Sequence, residues 1–322
     1  MLNFLRKKQS IMPPADLITN NFEPPTPLQT AVLFLVFNRP DTTAQVFEAI
    51  RKAKPPWLYV AADGPRANRE GEAEKVTKVR EIATAVDWPC EVKTLFREEN
   101  LGCKYAVSGG ITWFFEHEEQ GIILEDDCLP SQSFFWFCEH MLNIYKHNHV
   151  VMHIGGYKPK HIPIDEFSIS FTRATHVWGW ATWANRWEKY TADLSFNKKD
   201  ELNLLANYEY FYVKKATKAR VSILKKLLEG KIDTWDYQWN FWVRVNSGLA
   251  IRPCVNLVEN IGHGHEAATH TSGKQKKHTT SEINLAKLIL PRWILPNRDL
   301  EKAFEMGLAT GFWHRLLARI LR

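Results

Sequence analysis

The chain has 322 residues, 45% hydrophobic and 24% charged, with a formal net charge of +6. That balance makes it globular and large enough for one α/β domain with appendages or two small ones, and the modest charge does not choose between an anionic small molecule, a membrane surface and nucleic acid. No stretch approaches the ~18–20 apolar residues that span a bilayer, and the five cysteines (Cys90, Cys103, Cys128, Cys138, Cys254) form no CxxC pair, so neither structural zinc nor a disulfide framework is expected and a reducing cytoplasm is favoured.

Residues 1–10 hold Arg6, Lys7 and Lys8 with no apolar stretch behind them, so no secretory signal is expected. Residues 11–28 are proline-rich and polar, an arm or linker. Residues 30–37 (TAVLFLVF) are a continuous apolar run, the mark of a central parallel strand covered on both faces. The turn at 38–43 (NRPDTT) leads to a helix through Val46, Phe47 and Ile50, which Asp41 or Thr42 can cap and which Pro55 and Pro56 end. Residues 57–62 (WLYVAA) read as a second strand running into Asp63-Gly64-Pro65-Arg66. A charged helix over 70–85 leads to a third strand over 90–96, then to Arg97 and Asn100-Leu101-Gly102, and a helix over 104–117 follows. The alternation implies a mostly parallel, Rossmann-like sheet with crossover helices, an α/β class suited to a nucleotide.

Residues 121–130 (GIILEDDCLP) end an apolar run in three carboxylates, Glu125-Asp126-Asp127, before an aromatic-rich helix over 134–141. Adjacent like charges repel and are best tolerated beside something positive, and oxygen-only ligands suit a hard cation, Mg²⁺ or Mn²⁺. At the carboxyl end of a buried strand, where open α/β sheets bind ligands, the triplet reads as a metal site; a solvated acidic turn is the alternative. No GxGxxG or GxxxxGK[ST] follows the first strand, so neither a dinucleotide site nor a P-loop is supported. The strand ends offer Arg39, Asp63 and the triplet instead, a set able to read a base, a ribose and a metal-held diphosphate.

Beyond the triplet, 150–157 reads as a strand and turn, and 167–171 alternates like an antiparallel strand. The stretch 176–183 (HVWGWATW) sets glycine, which allows close backbone approach, between indoles, which offer flat apolar faces. Trp178, Gly179 and Trp180 are therefore candidates to hold the sugar or acceptor. A Trp-rich core turn is the alternative, and Trp183 and Trp187, four apart on an expected helix, fit core better than site. A lysine-rich helical region over 198–231 reads as a solvated face, with acidic lipid or glycan partners open. Residues 233–242 (DTWDYQWNFW) then place Asp236 among tryptophans at helical spacing. An aspartate screened by indoles suits a general base; an acid placed against the helix dipole is the alternative, and Asp233 is the second candidate. A strand-like stretch over 249–258 leads to glycine-flanked His263 and His265, which can bind metal or diphosphate; a zinc site with His270 lacks a partnering pattern. The polar, basic stretch from 272 reads as a linker, and 311–322 places apolar pairs opposite Arg315, Arg319 and Arg322. That pattern fits a basic helix in a membrane interface or a terminal helix docked on its own domain. The chain thus divides into an arm (1–28), a domain (29–272) and a tail of linker and amphipathic helices (273–322).

FNRPD at the first strand, ADGPR at the second, Asn100-Leu101-Gly102 before a helix and ILEDDCLPSQSFF together resemble the GT-A nucleotide-sugar transferases. Among them the chain is most similar to N-acetylglucosaminyltransferase I and its bacterial relatives, over about residues 30–270. The resemblance implies a GT-A sheet with a small antiparallel acceptor-side region. In it Asp127 is the metal ligand holding Mn²⁺ or Mg²⁺ against the donor's diphosphate, Glu125 contacts the ribose and Asp126 supports the site. Arg39 lies near the nucleotide, and Asp63 accepts from the base, usually uracil. It further implies that the loop of His263 and His265 closes over the donor and that Asp236 falls where inverting enzymes carry their base. Ser108-Gly109-Gly110 departs from the pattern, standing where the animal enzyme's helix carries a histidine. The implied activity is inverting transfer from a nucleoside-diphosphate sugar to a glycan or lipid-linked acceptor, in the cytoplasm or at the inner membrane face, in cell-surface polysaccharide synthesis and without nucleic acid. Two rivals stand beside it. A sugar-nucleotide nucleotidyltransferase would carry a glycine-rich first loop with a cationic cluster, and FNRPD offers only Arg39. A glycan-binding module would explain the thirteen tryptophans but would not need the triplet beside Asp63.

Overall fold

A computed structural model describes residues 13–14, 16–159, 166–194, 214–262 and 279–309. After a two-residue strand β1 (Ile18–Thr19), strand and helix alternate: β2 (Val32–Val36), α1 (Pro40–Ala53), β3 (Trp57–Ala62), α2 (Glu72–Ala83), β4 (Glu91–Phe96), α3 (Gly102–Phe115) and β5 (Gln120–Glu125). Then come β6 (Cys128–Pro130), α4 (Gln132–Tyr145), β7 (Val151–Gly155), β8 (Ile169–Thr172), β9 (Trp180–Trp183) and the short α5 (Ala184–Trp187). The remaining elements are α6 (Lys214–Leu228), α7 (Asp236–Val245), β10 (Leu249–Pro253), β11 (Val258–Asn260), β12 (Glu282–Ile283) and α8 (Arg298–Ala309).

Eight strands form one sheet in the order β4-β3-β2-β5-β9-β7-β10-β8. The first four are parallel, as is the β7–β10 pair, while β9 runs antiparallel between β5 and β7 and β8 antiparallel to β10. The mostly parallel α/β class expected from the sequence is the one observed. Its strands sort side chains by the period of two. On β2, Val32, Phe34 and Val36 join the core beneath α1 and α4, while Leu33 and Leu35 join the core against Ile111 and Phe114 of α3. Both faces are covered, so the whole strand is apolar.

The stretch 176–183 divides between the two expectations, Trp178 facing the cleft and Trp180 and Trp183 the core, but its backbone is not the expected turn. Trp180 to Trp183 is an interior strand, not a turn, and Trp183 ends it while Trp187 lies on α5, so the two do not share a helix. Trp180 has no exposed surface and packs against His153, Trp235 and Trp239. His153, fully buried on β7, ties this cluster together. Its Nδ1 accepts from Trp239 Nε1 at 3.1 Å, and its Nε2 donates to the His176 carbonyl at 3.0 Å; an indole only donates, which fixes that tautomer. Burial pushes the His153 pKa down to about 3. The unfolded chain, with an ordinary value near ~6.5, therefore takes up the proton first as pH falls. Stability should be lost from about pH 6.5 downward, by roughly 2 kcal/mol at pH 5. Denaturant midpoints at pH 7 and 5 should differ by less in His153→Gln than in wild type; equal differences would mean the imidazole is not held neutral.

Among the described residues, parts of the expected arm and tail pack into the fold. Leu17 and Leu28 are buried, and β1 pairs with β12. Glu282 accepts from the backbone N–H groups of Gln132 and Ser133 at 2.8 and 2.7 Å, satisfying donors at the start of α4. On α8, Glu301 accepts from Thr172 Oγ1 and Arg173 N, and Glu305 pairs with Arg220 of α6 at 2.8 Å. Of the basic residues on α6, Lys215, Lys218 and Lys225 are exposed, Lys226 is half-buried and Arg220 is turned into an ion pair with Glu305, so the face is solvated only in part. Among the described residues no helix is long and apolar enough to cross a membrane. The basic segment 311–322 and the histidine loop lie outside the described residues.

Candidate active site

β3, β2 and β5 are neighbours, with Val36 opposite Ala62 and Leu35 opposite Glu125. Their carboxyl ends are therefore level, and the residues that follow emerge together: Arg39, Asp63 and the acidic triplet line one cleft of about 520 Å³. This is the sheet edge at which such folds bind ligands.

Arg39 is the counter-charge to the triplet. Its guanidinium donates to Asp126 Oδ1 and to Asp127 Oδ2, each at 2.7 Å. Burial alone would lower its pKa, but the two aspartates raise it. Asp126 is buried and its Oδ2 also accepts from Phe37 N at 3.2 Å. Burial pushes Asp126 up to about 6 against the pull of Arg39, and the charge of Asp127 adds to the rise. Glu125 accepts no hydrogen bond from the described residues; burial and then Asp127 push it well above the usual carboxylate range, with Asp126 and Asp236 contributing. Three carboxylates thus share one guanidinium.

Among the described residues no three His, Cys, Asp or Glu side chains form a preassembled metal cage. The donors are all oxygen, and among the described residues Arg39 is the cation paired with them, taking Asp127 Oδ2 and Asp126 Oδ1. Such a set fits an ion held by one or two carboxylates and completed by water and substrate phosphate, as Mg²⁺ usually is.

β11 closes the cleft beside the triplet. Asn260 pairs opposite Cys128, and Ile261 N donates to the Asp127 carbonyl at 2.8 Å. A Cβ on Gly262 would lie 2.3 Å from Asp127 Oδ2 and 2.6 Å from Arg39 Nη1. Gly262→Ala should therefore push the Arg39–Asp127 pair apart, costing about 1–3 kcal/mol in stability and on the order of 10²-fold in activity. Steady-state rates beside a denaturation curve check this; wild-type rates would mean that the pair's position does not matter.

Asp63 holds the cleft's opposite wall. Its Oδ1 accepts from Gly64 N and Leu101 N at 3.0 Å each, and its Oδ2 from Asn100 Nδ2 at 2.9 Å and Gly102 N at 3.1 Å. Burial raises its pKa and the backbone donors hold the rise back. Both oxygens are engaged in clasping the start of α3, so the expected contact with a base would have to share them. The Ser108-Gly109-Gly110 departure has a packing reason: a Cβ on Gly109 would lie 2.9 Å from Arg97 Nη2, and one on Gly110 3.0 Å from Leu35. Arg97 and Cys103 also line the cleft and were missed as site residues. Arg97 directly follows β4, so the rule that found Asp63 could have found it.

Asp236 is the first residue of α7 and accepts from Thr234 Oγ1. It lines not the main cleft but a second cavity of about 220 Å³, although its charge reaches Glu125. Asp233 is exposed at the rim of the main cleft, where its Oδ1 accepts from Lys104 N at 3.1 Å. Of the tryptophan candidates only Trp178 is brought to the site. Half-buried, with its ring edge-on to Tyr157 at 4.5 Å, it lines both cavities. Trp180 is core. Gly179, at φ +61, serves close packing: a Cβ there would lie 2.7 Å from Val258. His263 and His265 lie outside the described residues.

No family model and no curated protein matches the chain. Among solved structures it is similar to HddC from Yersinia pseudotuberculosis at 10% identity and a TM-score of 0.32, over 53% of this chain and 84% of that one. It is also similar to apo UDP-glucose pyrophosphorylase (9% identity, TM-score 0.38) and to UDP-glucose pyrophosphorylase complexed with UDP-glucose (10%, 0.35), each over 73% of this chain and 94% of the other. At such scores the activity has to be argued from the site itself.

Proposed function

We propose that this chain is a GT-A type glycosyltransferase that moves a sugar from a nucleoside diphosphate, UDP in the first instance, to an acceptor hydroxyl with inversion. The observation that carries the reading is the gathering of Arg39, Asp63 and Glu125-Asp126-Asp127 in one cleft at the carboxyl edge of three parallel strands, with Asp236 close enough to raise Glu125. A divalent ion, Mn²⁺ or Mg²⁺, would be held at Asp127 and would neutralise charge on the departing diphosphate.

The chain's own groups do the rest. Arg39 fixes Asp127 and keeps the triplet from repelling itself apart. Glu125, which accepts no hydrogen bond from the described residues, is the carboxyl left to meet a ribose hydroxyl. Asp63 shapes the α3 loop that borders the base. Asp236 takes the acceptor hydroxyl's proton as that oxygen attacks the anomeric carbon.

The test is nucleoside diphosphate release from a panel of UDP-, GDP- and dTDP-sugars, with Mn²⁺ and with EDTA. Release from one donor that EDTA and Asp127→Asn both abolish is expected. Metal-independent release, or none from any donor, would overturn the reading.

A further inference from the structure

The second cavity lies between α6, α7, α8 and the 174–178 loop, and joins Trp178 and Asp236 to residues of α6 and α8 that no sequence motif marked. Its walls are of two kinds. Trp178, Tyr237 and Phe304 present aromatic surface, while Asp236, Asn240 and the Arg220–Glu305 pair present polar groups. At about 220 Å³ it is smaller than the roughly 300–1,000 Å³ of sites that enclose drug-sized ligands, so it suits one ring rather than an extended chain. The Arg220 and Glu305 side chains are only 14% and 4% exposed. Desolvating an ion pair is costly, and a hydrocarbon occupant would return nothing to it, whereas hydroxyl groups would add hydrogen bonds. An anionic occupant is disfavoured, because the acids Asp236, Glu301 and Glu305 outnumber Arg220 and Arg244 in the lining.

From this chemistry we infer that the cavity binds a single uncharged pyranose ring of the acceptor, its apolar face against the aromatic side chains and one hydroxyl at Asp236. The inference rests on the transferase reading and deepens it. Trp178 borders both cavities and Asp236 lies at the second, so a ring against Trp178 sits beside the donor cleft. In the step, Asp236 accepts the hydroxyl proton and the oxygen forms a bond to the anomeric carbon. The bond from that carbon to the diphosphate oxygen breaks, and its electron pair leaves with the nucleoside diphosphate. α8, from beyond the expected domain boundary, becomes the element that sets acceptor choice, pinned by Glu301 to the end of β8.

Saturation-transfer NMR on the full chain, with methyl hexopyranosides as probes and n-octanol as the apolar comparison, tests this without nucleotide or metal. At least one methyl pyranoside should bind at millimolar concentration and octanol should not displace it. Phe304→Ala and the near-isosteric Glu305→Gln should each weaken that binding about tenfold or more, with circular dichroism unchanged. Absence of pyranoside binding to the wild type, displacement by octanol, or binding that neither variant weakens would overturn the inference. Because donor release is measured separately, pyranoside binding without any release would sink the transferase reading alone.

Discussion

Replacing Asp236 by Asn is expected to lower kcat by about 10²–10⁴-fold and to leave the donor KM near its wild-type value. The amide keeps the oxygen that accepts from Thr234 and the shape at the start of α7, so the helix and the tryptophan cluster beneath it stay in place. What is lost is the proton acceptor, which matters only as the acceptor oxygen attacks. Asp233→Asn gives the contrast, because Asp233 is exposed and already engaged with Lys104 N. If Asp233→Asn caused the larger loss in kcat, the base would be Asp233. If neither mattered, general-base attack from α7 would be wrong.

Arg39→Met is expected to cost about 3–5 kcal/mol, because removing one partner of a buried pair leaves uncompensated charge. Here it would strand two aspartates whose oxygens lie 2.7 Å from the guanidinium, with Glu125 beside them. Burial already pushes Asp126 up to about 6 with the arginine present. Urea denaturation at neutral pH measures the loss. A change below about 1 kcal/mol would place Arg39 among ordinary surface pairs instead.

The first half of the fold was legible because its signals are local. The run at 31–37 is apolar at every position, as only a strand covered on both faces needs to be, and 57–62 coincides with β3. The residues after each carboxyl end could then be named as site candidates from topology alone, and Arg39, Asp63 and the triplet do share a cleft. Helix capping was read less well: Asp41 and Thr42 fall inside α1, which starts at Pro40 after Arg39.

The second half resisted because its structure is decided by contacts distant in sequence. Nothing local distinguishes indoles that face a ligand from indoles that fill a core. Trp180 became core because β9 inserts between β5 and β7. Arg186 is similar: it is buried and donates to the carbonyls of Tyr145, Lys146 and Asn148, which close the end of α4, a partnership about 40 residues away. The tail reads in sequence as a polar, basic linker followed by amphipathic helices, and Leu300, Glu301, Phe304 and Glu305 recur at the helical spacing of α8. Leu300, Glu301 and Glu305 are buried, and Glu301 and Phe304 join Glu305 in lining the second cavity.

The most direct measurement is ³¹P NMR of the purified chain with UDP-sugar, Mg²⁺ and a methyl pyranoside that binds it. A glycosyltransferase converts the donor's diphosphate signals to those of UDP, faster with the pyranoside than without. If instead the donor is consumed only when pyrophosphate is added, and UTP appears in its place, the cleft belongs to a nucleotidyltransferase and the role given to Asp236 falls with the reading.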